Sequence, residues 1–345
     1  MIQFRSSKYD FHTMMSRSVR WCITAVYSFL FIGCSGPRSA LDPAGDAAER
    51  VTNLYWWMVA GSVVIFLMVI GLTIYAIRAR RQPDNERKSN LLIIGGGVIF
   101  PVVVLTALLA HGLAMLPDFT GSAPAGSLKI TVHGKQWWWR VKYESAAGQW
   151  VELANEIRLP VNEPVEFRLE SYDVNHSFWI PPLGGKLDLI PGRVTRLALK
   201  PTRTGVFQGV CAEYCGLSHA FMQFPVVILE KAEFENWLTH QSEAAAQSAD
   251  AEVIRGQELF FANACNACHT VRGGARPAQS AIGPDLTHVG SRLSIAAGRL
   301  PNDVESIARW IARTNSIKPG TLMPAFTNLP PEDLRALAIY LKSLE

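Results

Sequence analysis

Cys211-Ala212-Glu213-Tyr214-Cys215-Gly216-Leu217-Ser218-His219-Ala220-Phe221-Met222 places two thiols, an imidazole and a thioether within twelve residues. Thiolate and thioether are soft donors, and with imidazole they select copper. A second imidazole is available upstream, in Asn175-His176-Ser177-Phe178. Two cysteines exceed what a blue-copper site uses. Two thiolates can instead bridge two coppers, each with its own terminal histidine, so that one electron is shared and geometry changes little on transfer. The alternative for Cys211 and Cys215 is a structural disulfide, which leaves His176, His219 and Met222 without a role.

Around this stretch, short β-rich runs occur at 128–133, 137–143, 164–169, 194–199, 206–210 and 224–229, separated by Gly, Pro and Asn turn signals. Several alternate apolar and polar residues. They predict an all-β sandwich or barrel of about 100 residues. Residues 231–238 read as a short amphipathic helix, and 241–250 are small and polar, as in a linker. Trp137, Trp138 and Trp139 stand in a row. Alternate ones can simply pack a strand face, or one of them can serve electron entry.

Downstream, Cys265-Asn266-Ala267-Cys268-His269 is C-x-x-C-H, the attachment site of c-type haem. The thiols add to the vinyl groups and the histidine supplies the proximal iron ligand. Met323, in Gly320-Thr321-Leu322-Met323-Pro324, is the expected second axial ligand. It is the sole methionine in 250–345, and His288 is the competing ligand there. A redox disulfide or zinc site would explain the two cysteines but neither the adjoining histidine nor the Met-Pro pair. Helical periods at 253–261, 304–314 and 332–341 predict an all-α domain. At about 95 residues it is small for a stable core unless a cofactor fills it.

Upstream, 54–77 and 91–116 are apolar and contain no Asp, Glu, Lys or Arg. At about 1.5 Å per residue, each is long enough to cross a hydrocarbon core of about 30 Å. Residues 1–33 combine a basic start with a short apolar run ending at Phe31-Ile32-Gly33-Cys34, which resembles a bacterial lipoprotein cleavage site with Phe31 where leucine is usual. Cys34 is then the lipidation site. The chain has a net charge of +4, with 49% hydrophobic and 18% charged residues. Residues 1–33 and 78–88 each carry a surplus of +3, so the remainder is slightly acidic. The positive charge marks targeting and topology, placing the loop 78–90 in the cytoplasm and both chain ends outside. No basic run suits a nucleic-acid partner.

These motifs, with Gly134-Lys135-Gln136-Trp137-Trp138-Trp139 and Leu187-Asp188-Leu189-Ile190-Pro191-Gly192-Arg193, resemble cytochrome c oxidase subunit II over about 50–230. Gly256, Phe260, Gly283-Pro284-Asp285-Leu286 and Tyr340 extend the likeness to class I cytochrome c, as in the caa3-type branch. The resemblance implies a multidomain membrane protein. Its parts are a signal peptide of lipoprotein type (1–33), a two-helix transmembrane hairpin (34–127), an all-β cupredoxin-like Greek-key domain (128–240), a linker (241–250) and an all-α class I cytochrome c domain (251–345). It implies a dinuclear copper-A centre on Cys211, Cys215, His176 and His219, with Met222 and the Glu213 carbonyl as weak ligands. The Glu213 side chain matches one that helps bind magnesium at subunit I, and Trp137 matches the aromatic where electrons enter. The haem c is held by Cys265 and Cys268, with His269 and Met323 axial.

The expected function is electron entry to a haem-copper terminal oxidase in the bacterial inner membrane, with the copper and haem domains on the outer face. Electrons would pass from an external cytochrome c or other donor to the haem, to copper, and to haem in subunit I, where oxygen reduction and proton pumping occur. Subunit III and membrane lipid are the other expected partners. Many relatives carry a glutamate at the start of the second helix, near Ile94 here; Glu86 is not a clean match, so no proton-path role is assigned. Nitrous oxide reductase also carries copper A, but its histidine-rich second cluster has no ligands in this chain. A copper chaperone would carry no haem.

Overall fold

The computed structural model describes residues 21, 33–79, 86–144, 150–274 and 282–345. The expected signal peptide, apart from Trp21 and Gly33, lies outside the described residues, as do 80–85 of the expected cytoplasmic loop.

Two helices, α1 (Asp46–Arg78) and α2 (Glu86–Pro117), are long and apolar enough to cross a membrane. Their apolar side chains, among them Phe66, Leu67, Val103 and Leu105, are exposed, as a membrane anchor requires. Within α2, Leu91–Ile99 is wound as a π-helix, and this stretch contains Gly95, Gly96 and Gly97. The first helix starts well before the apolar run, because its first turns belong to the β domain. Ala44 and Ala48 are buried, and the Ala44 N–H donates to the Pro182 carbonyl at 2.7 Å. A Cβ on Gly45 would lie 2.7 Å from the Leu183 carbonyl oxygen, so only glycine admits this approach.

Ten strands build the β domain: β1 (Leu128–Lys135), β2 (Trp138–Glu144), β3 (Trp150–Ala154), β4 (Ile157–Pro160), β5 (Val165–Ser171), β6 (His176–Trp179), β7 (Leu187–Leu189), β8 (Thr195–Leu199), β9 (Gly205–Cys211) and β10 (Gln223–Leu229). They form two five-stranded sheets, ordered β3-β2-β1-β5-β8 and β4-β10-β9-β6-β7. The pairs β1–β5 and β4–β10 are parallel and the remainder antiparallel. This is the cupredoxin-like sandwich that the resemblance implies, where the alternating runs alone left sandwich or barrel open. The short strands β3, β4, β6 and β7 had no separate signal in the periodicity.

The core between the sheets is aromatic. Trp139 is fully buried, with Phe178 and Phe224 edge-on at 5.7 and 5.5 Å. Alternation along β2 therefore assigns Trp139 to packing. Its neighbour Trp138 faces the other way, under the Arg140 guanidinium at 5.1 Å.

The C-terminal portion is helical: α3 (Lys231–Ser242) leads from the sandwich, then come α4 (Ala251–Ala262), α5 (Val304–Ala312), α6 (Thr314–Ile317) and α7 (Pro331–Ser343). Asp250 caps α4 by accepting from the N–H groups of Glu252 and Val253, and Asp303 caps α5 through Ser306. Pro331 begins α7, where a missing N–H costs nothing. Residues 241–250, expected as a linker, are strapped to this domain instead. Gln241 and Ala245 are buried, Ala245 N–H donates to the Arg272 carbonyl at 2.9 Å, and the Arg272 guanidinium donates to the Gln241 carbonyl at 2.6 Å. Small side chains that look like a flexible spacer here permit close packing.

Helices α4 and α7 cross at Gly256. A Cβ there would fall 2.1 Å from the Ala336 carbonyl oxygen, a backbone atom that cannot turn aside. Gly256→Ala is expected to force the helices apart at a cost of about 3 kcal/mol. Hydrogen exchange of the full chain should show amide protection in both helices falling by roughly a hundredfold.

Candidate functional site

The end of β9 delivers Cys211, the start of β6 delivers His176, and the loop between β9 and β10 delivers Glu213, Cys215, His219 and Met222. Ligand atoms of His176, Cys211 and Cys215 all lie within 4.8 Å of one another. The two sulfurs are 3.8 Å apart, far beyond a disulfide bond of about 2.05 Å. Both cysteines are free thiols, which removes the disulfide alternative in this structure. Cys211 Sγ is 3.9 Å from His176 Nδ1 and 3.2 Å from the Glu213 carbonyl oxygen. Cys215 Sγ is 3.5 Å from His219 Nδ1 and 3.8 Å from Met222 Sδ. All six expected copper-ligand residues are therefore brought together around the two sulfurs. The donor set of thiols, imidazoles, thioether and carbonyl fits copper. His176 and Met222 are almost completely buried, His219 is half-buried and the Glu213 side chain is exposed.

The surroundings orient these groups. His176 Nε2 donates to Asp173 Oδ1 at 2.8 Å, which turns Nδ1 toward the sulfurs. Asp173 Oδ2 also accepts the Gln136 backbone N–H at 2.7 Å, tying the β1–β2 turn to the same histidine. The Cys215 carbonyl accepts two donors from that turn, Trp137 Nε1 at 2.9 Å and Gln136 Nε2 at 2.8 Å. Gly134 makes room for the imidazole, since a Cβ there would lie 2.7 Å from His176 Cδ2. A hydrogen bond from Cys215, seconded by His176, brings the Cys211 thiol down to about 4. Its proton-holding partner Cys215 is raised for the same reason. Burial opposes a charge on His176, but its bonds to Cys211 and Asp173 outweigh that and raise its pKa. One sulfur of the pair is thus disposed to the thiolate form, while the other keeps the shared proton.

In the helical domain, Cys265, His269 and Met323 stand on the wall of an apolar cavity with Phe260, Leu286 and Phe326. Cys265 is half-buried and Cys268 exposed. His269 Nδ1 donates to the Pro284 carbonyl at 2.8 Å, turning Nε2 to the cavity. An apolar wall carrying a thiol, an imidazole and a thioether fits an iron cofactor. Burial raises the Cys265 thiol to about 11 and lowers the His269 pKa. The Thr314 hydroxyl donates to the Met323 carbonyl at 3.0 Å, fixing the loop that carries the thioether. His288 is occupied elsewhere, with its ring nitrogens 3.0 and 3.2 Å from the carbonyl oxygens of Glu345 and Glu243.

The helical domain sits against the loop that carries Cys215 and His219. The Ser218 hydroxyl donates to the Pro319 carbonyl at 2.6 Å, and the Lys318 ammonium donates to the Trp137 carbonyl. Arg140 donates to the Gly283 carbonyl at 3.2 Å, and Glu156 accepts the Leu293 N–H at 2.8 Å. The sequence reading omitted Asp173, Gly134, Gln136 and Lys318 from the site. A D-x-x-H spacing before Ser177 was the available signal for Asp173.

Family models match residues 144–230, as cytochrome C oxidase subunit II, periplasmic domain, and 253–345, as cytochrome c. These domains imply copper and haem c. Cytochrome c oxidase subunit 2 of Alkalihalophilus pseudofirmus is 33% identical over 329 residues, covering 91% of this chain and 93% of that protein. The subunit 2 of Bacillus subtilis is 31% identical over 350 residues, covering 94% of this chain and 96% of that protein. Among solved structures, the periplasmic domain of subunit II of cytochrome oxidase (CoxB) of Bradyrhizobium japonicum is 33% identical, with a TM-score of 0.32, covering 34% of this chain and 96% of that one. With near-full-length relatives and both domains on one polypeptide, the chain belongs to the caa3-type cytochrome c oxidase subunit II family and is a subunit of an oxidoreductase, the haem-copper terminal oxidase.

Proposed function

We propose that the chain takes electrons from an external donor at its helical domain and delivers them, by way of the β domain, to subunit I. Oxygen reduction and proton pumping take place in that partner. The observation that carries the reading is the convergence of two thiols, two imidazoles, a thioether and a carbonyl on one spot, with a C-x-x-C-H domain seated against it.

Cys211 and Cys215 would hold a dinuclear copper centre between them, with His176 and His219 as terminal ligands and Met222 and the Glu213 carbonyl as weak ones. Cys265 and Cys268 would anchor one haem c, with His269 and Met323 axial. When bound, the two groups supply one-electron redox chemistry without proton transfer. The protein's part is to hold the donors still. Asp173 fixes the tautomer of His176, Gln136 and Trp137 clamp the Cys215 backbone, and Thr314 anchors Met323. The buried walls exclude water, so little solvent reorganises when charge moves.

The exposed Glu213 carboxylate would reach a magnesium ion shared with subunit I. Subunit III completes the expected partners. Cys34, whose carbonyl accepts the Ser39 hydroxyl at 2.6 Å, would be lipidated after cleavage of 1–33. The basic loop 78–90 would face the cytoplasm of a bacterial inner membrane, leaving both redox domains outside. Trp137 lies between the two domains and is the residue through which electrons would enter the copper site.

Metal and haem analysis of the complex purified from membranes tests this reading. Wild type should show near-infrared mixed-valence copper absorption and a c-type haem band, both resistant to mild chelation, with an a-type haem subunit co-purifying. Haem without a copper pair would defeat it. Cys215→Ser should abolish the near-infrared absorption while the c-type band persists. Met323→Ala should leave the haem covalently attached but lower its midpoint potential by on the order of 0.1 V, because thioether ligation favours the reduced iron. Redox titration reads the shift.

A further inference from the structure

Lysine is almost never fully buried without a purpose, because moving an ammonium out of water is costly. Lys318 is 4% exposed, at the seam between the two domains. Its ammonium donates to the backbone carbonyl of Trp137, whose indole N–H donates in turn to the carbonyl of Cys215. Beside it, the fully buried Ser218 donates through its hydroxyl to the Pro319 carbonyl. Next, Gly320 takes a φ of +79° and lies flat against the Trp137 ring. A Cβ on Gly320 would stand 2.6 Å from Trp137 Cζ3 and 3.3 Å from Leu217 Cδ2. Three consecutive residues of the helical domain thus meet three features of the copper-ligand face.

The loop is internally braced. The Lys318 N–H donates to the Thr314 carbonyl at 2.8 Å, and the Thr321 hydroxyl donates to the Lys318 carbonyl at 2.7 Å. Thr314 also holds the Met323 backbone. Bracing therefore runs from Met323 to Lys318 and Gly320, then to Trp137, then to Cys215.

We propose that residues 318–320 are the docking element that seats the helical domain on the Trp137 face, with Lys318 as its positioning residue, and that this seating closes the face to soluble donors. The proposal rests on the reading in which Cys215 holds copper and Met323 holds haem iron. Lys318 touches neither group and acts through Trp137. Burial lowers its pKa to about 7. A soluble donor then meets the helical domain and not Trp137.

The test uses the intact purified complex and three variants: Lys318→Met, which keeps the apolar stem, Lys318→Arg, which restores a cation, and Gly320→Leu, which wedges the loop off the indole. Optical spectra and metal content are recorded first. If wild type lacks the copper pair or the haem, the parent reading has failed and not the docking proposal. With both groups present, one electron is placed on the haem by flash photoreduction, and its passage to the oxidised copper pair is timed. The transfer should slow by about tenfold or more in Lys318→Met and Gly320→Leu, with partial recovery in Lys318→Arg. In the same two variants, a soluble reduced cytochrome should begin to reduce the copper pair without first reducing the attached haem, and this route should weaken with salt. Unchanged transfer times in spectrally intact Lys318→Met and Gly320→Leu would overturn the proposal. So would direct copper reduction by the soluble cytochrome in wild type.

Discussion

The backbone carbonyl of Cys215 is the point on which the β domain and its neighbours turn. It accepts from both Gln136 and Trp137, so the loop carrying Cys215 and His219 cannot move without the β1–β2 turn. That turn is held to His176 through Asp173. Ligands from two separate segments are therefore fixed relative to one another by neutral and charge-assisted hydrogen bonds. The ligand cluster forms even though its thiols would otherwise resist being buried so close together. Lowering the Cys211 thiol to about 4 at the expense of Cys215 is the electrostatic sign of this compression. Cys211 and Cys215 would hold a metal ion as thiolates, so binding it would release the shared proton.

The same constraint reaches the membrane and the second domain. The sandwich continues into α1 through Gly45 and Ala48, so the anchor is a rigid extension and not a tether. As a subunit II, the chain partners subunit I. On the other side, polar contacts at Lys318, Ser218, Arg140 and Glu156 join the helical domain to the sandwich. An interface built mainly from hydrogen bonds to backbone carbonyls resembles a transient association more than a shared core. Such a seam specifies orientation while gaining little net energy, which suits a domain whose task is geometric.

The side chains that the structure gathers from one contiguous stretch were legible in the sequence, because the spacing in Cys211–Met222 and Cys265–His269 itself brings them together. His176 was legible as a second imidazole beside His219. The orienting groups were not. Asp173, Gly134 and Lys318 are ordinary residue types whose meaning depends on what the fold sets beside them. Glycine at 134 matters because the His176 ring passes within 2.7 Å of where a Cβ would be, a fact with no local signature. The segment 241–250 read as a spacer because small polar residues serve loose and tight packing alike; only the partners of Ala245 and Gln241 distinguish them. Strands β4, β6 and β7 are four residues or fewer, too short for a period of two to announce itself.

The row Trp137–Trp139 shows why position outranks residue type. Trp139 lies within β2 facing inward, so it is spent on the core against Phe178 and Phe224. Trp138, one residue earlier, faces outward and meets the Arg140 guanidinium. Strand residues have only these two fates, because successive side chains alternate between faces. Trp137 precedes the strand, in the turn, and is free of that alternation. Its indole can therefore point at Cys215 while its own carbonyl points at Lys318. A residue serving two domains at once has to sit where the backbone is not committed to a ladder. Of the three tryptophans, only the turn position meets that requirement.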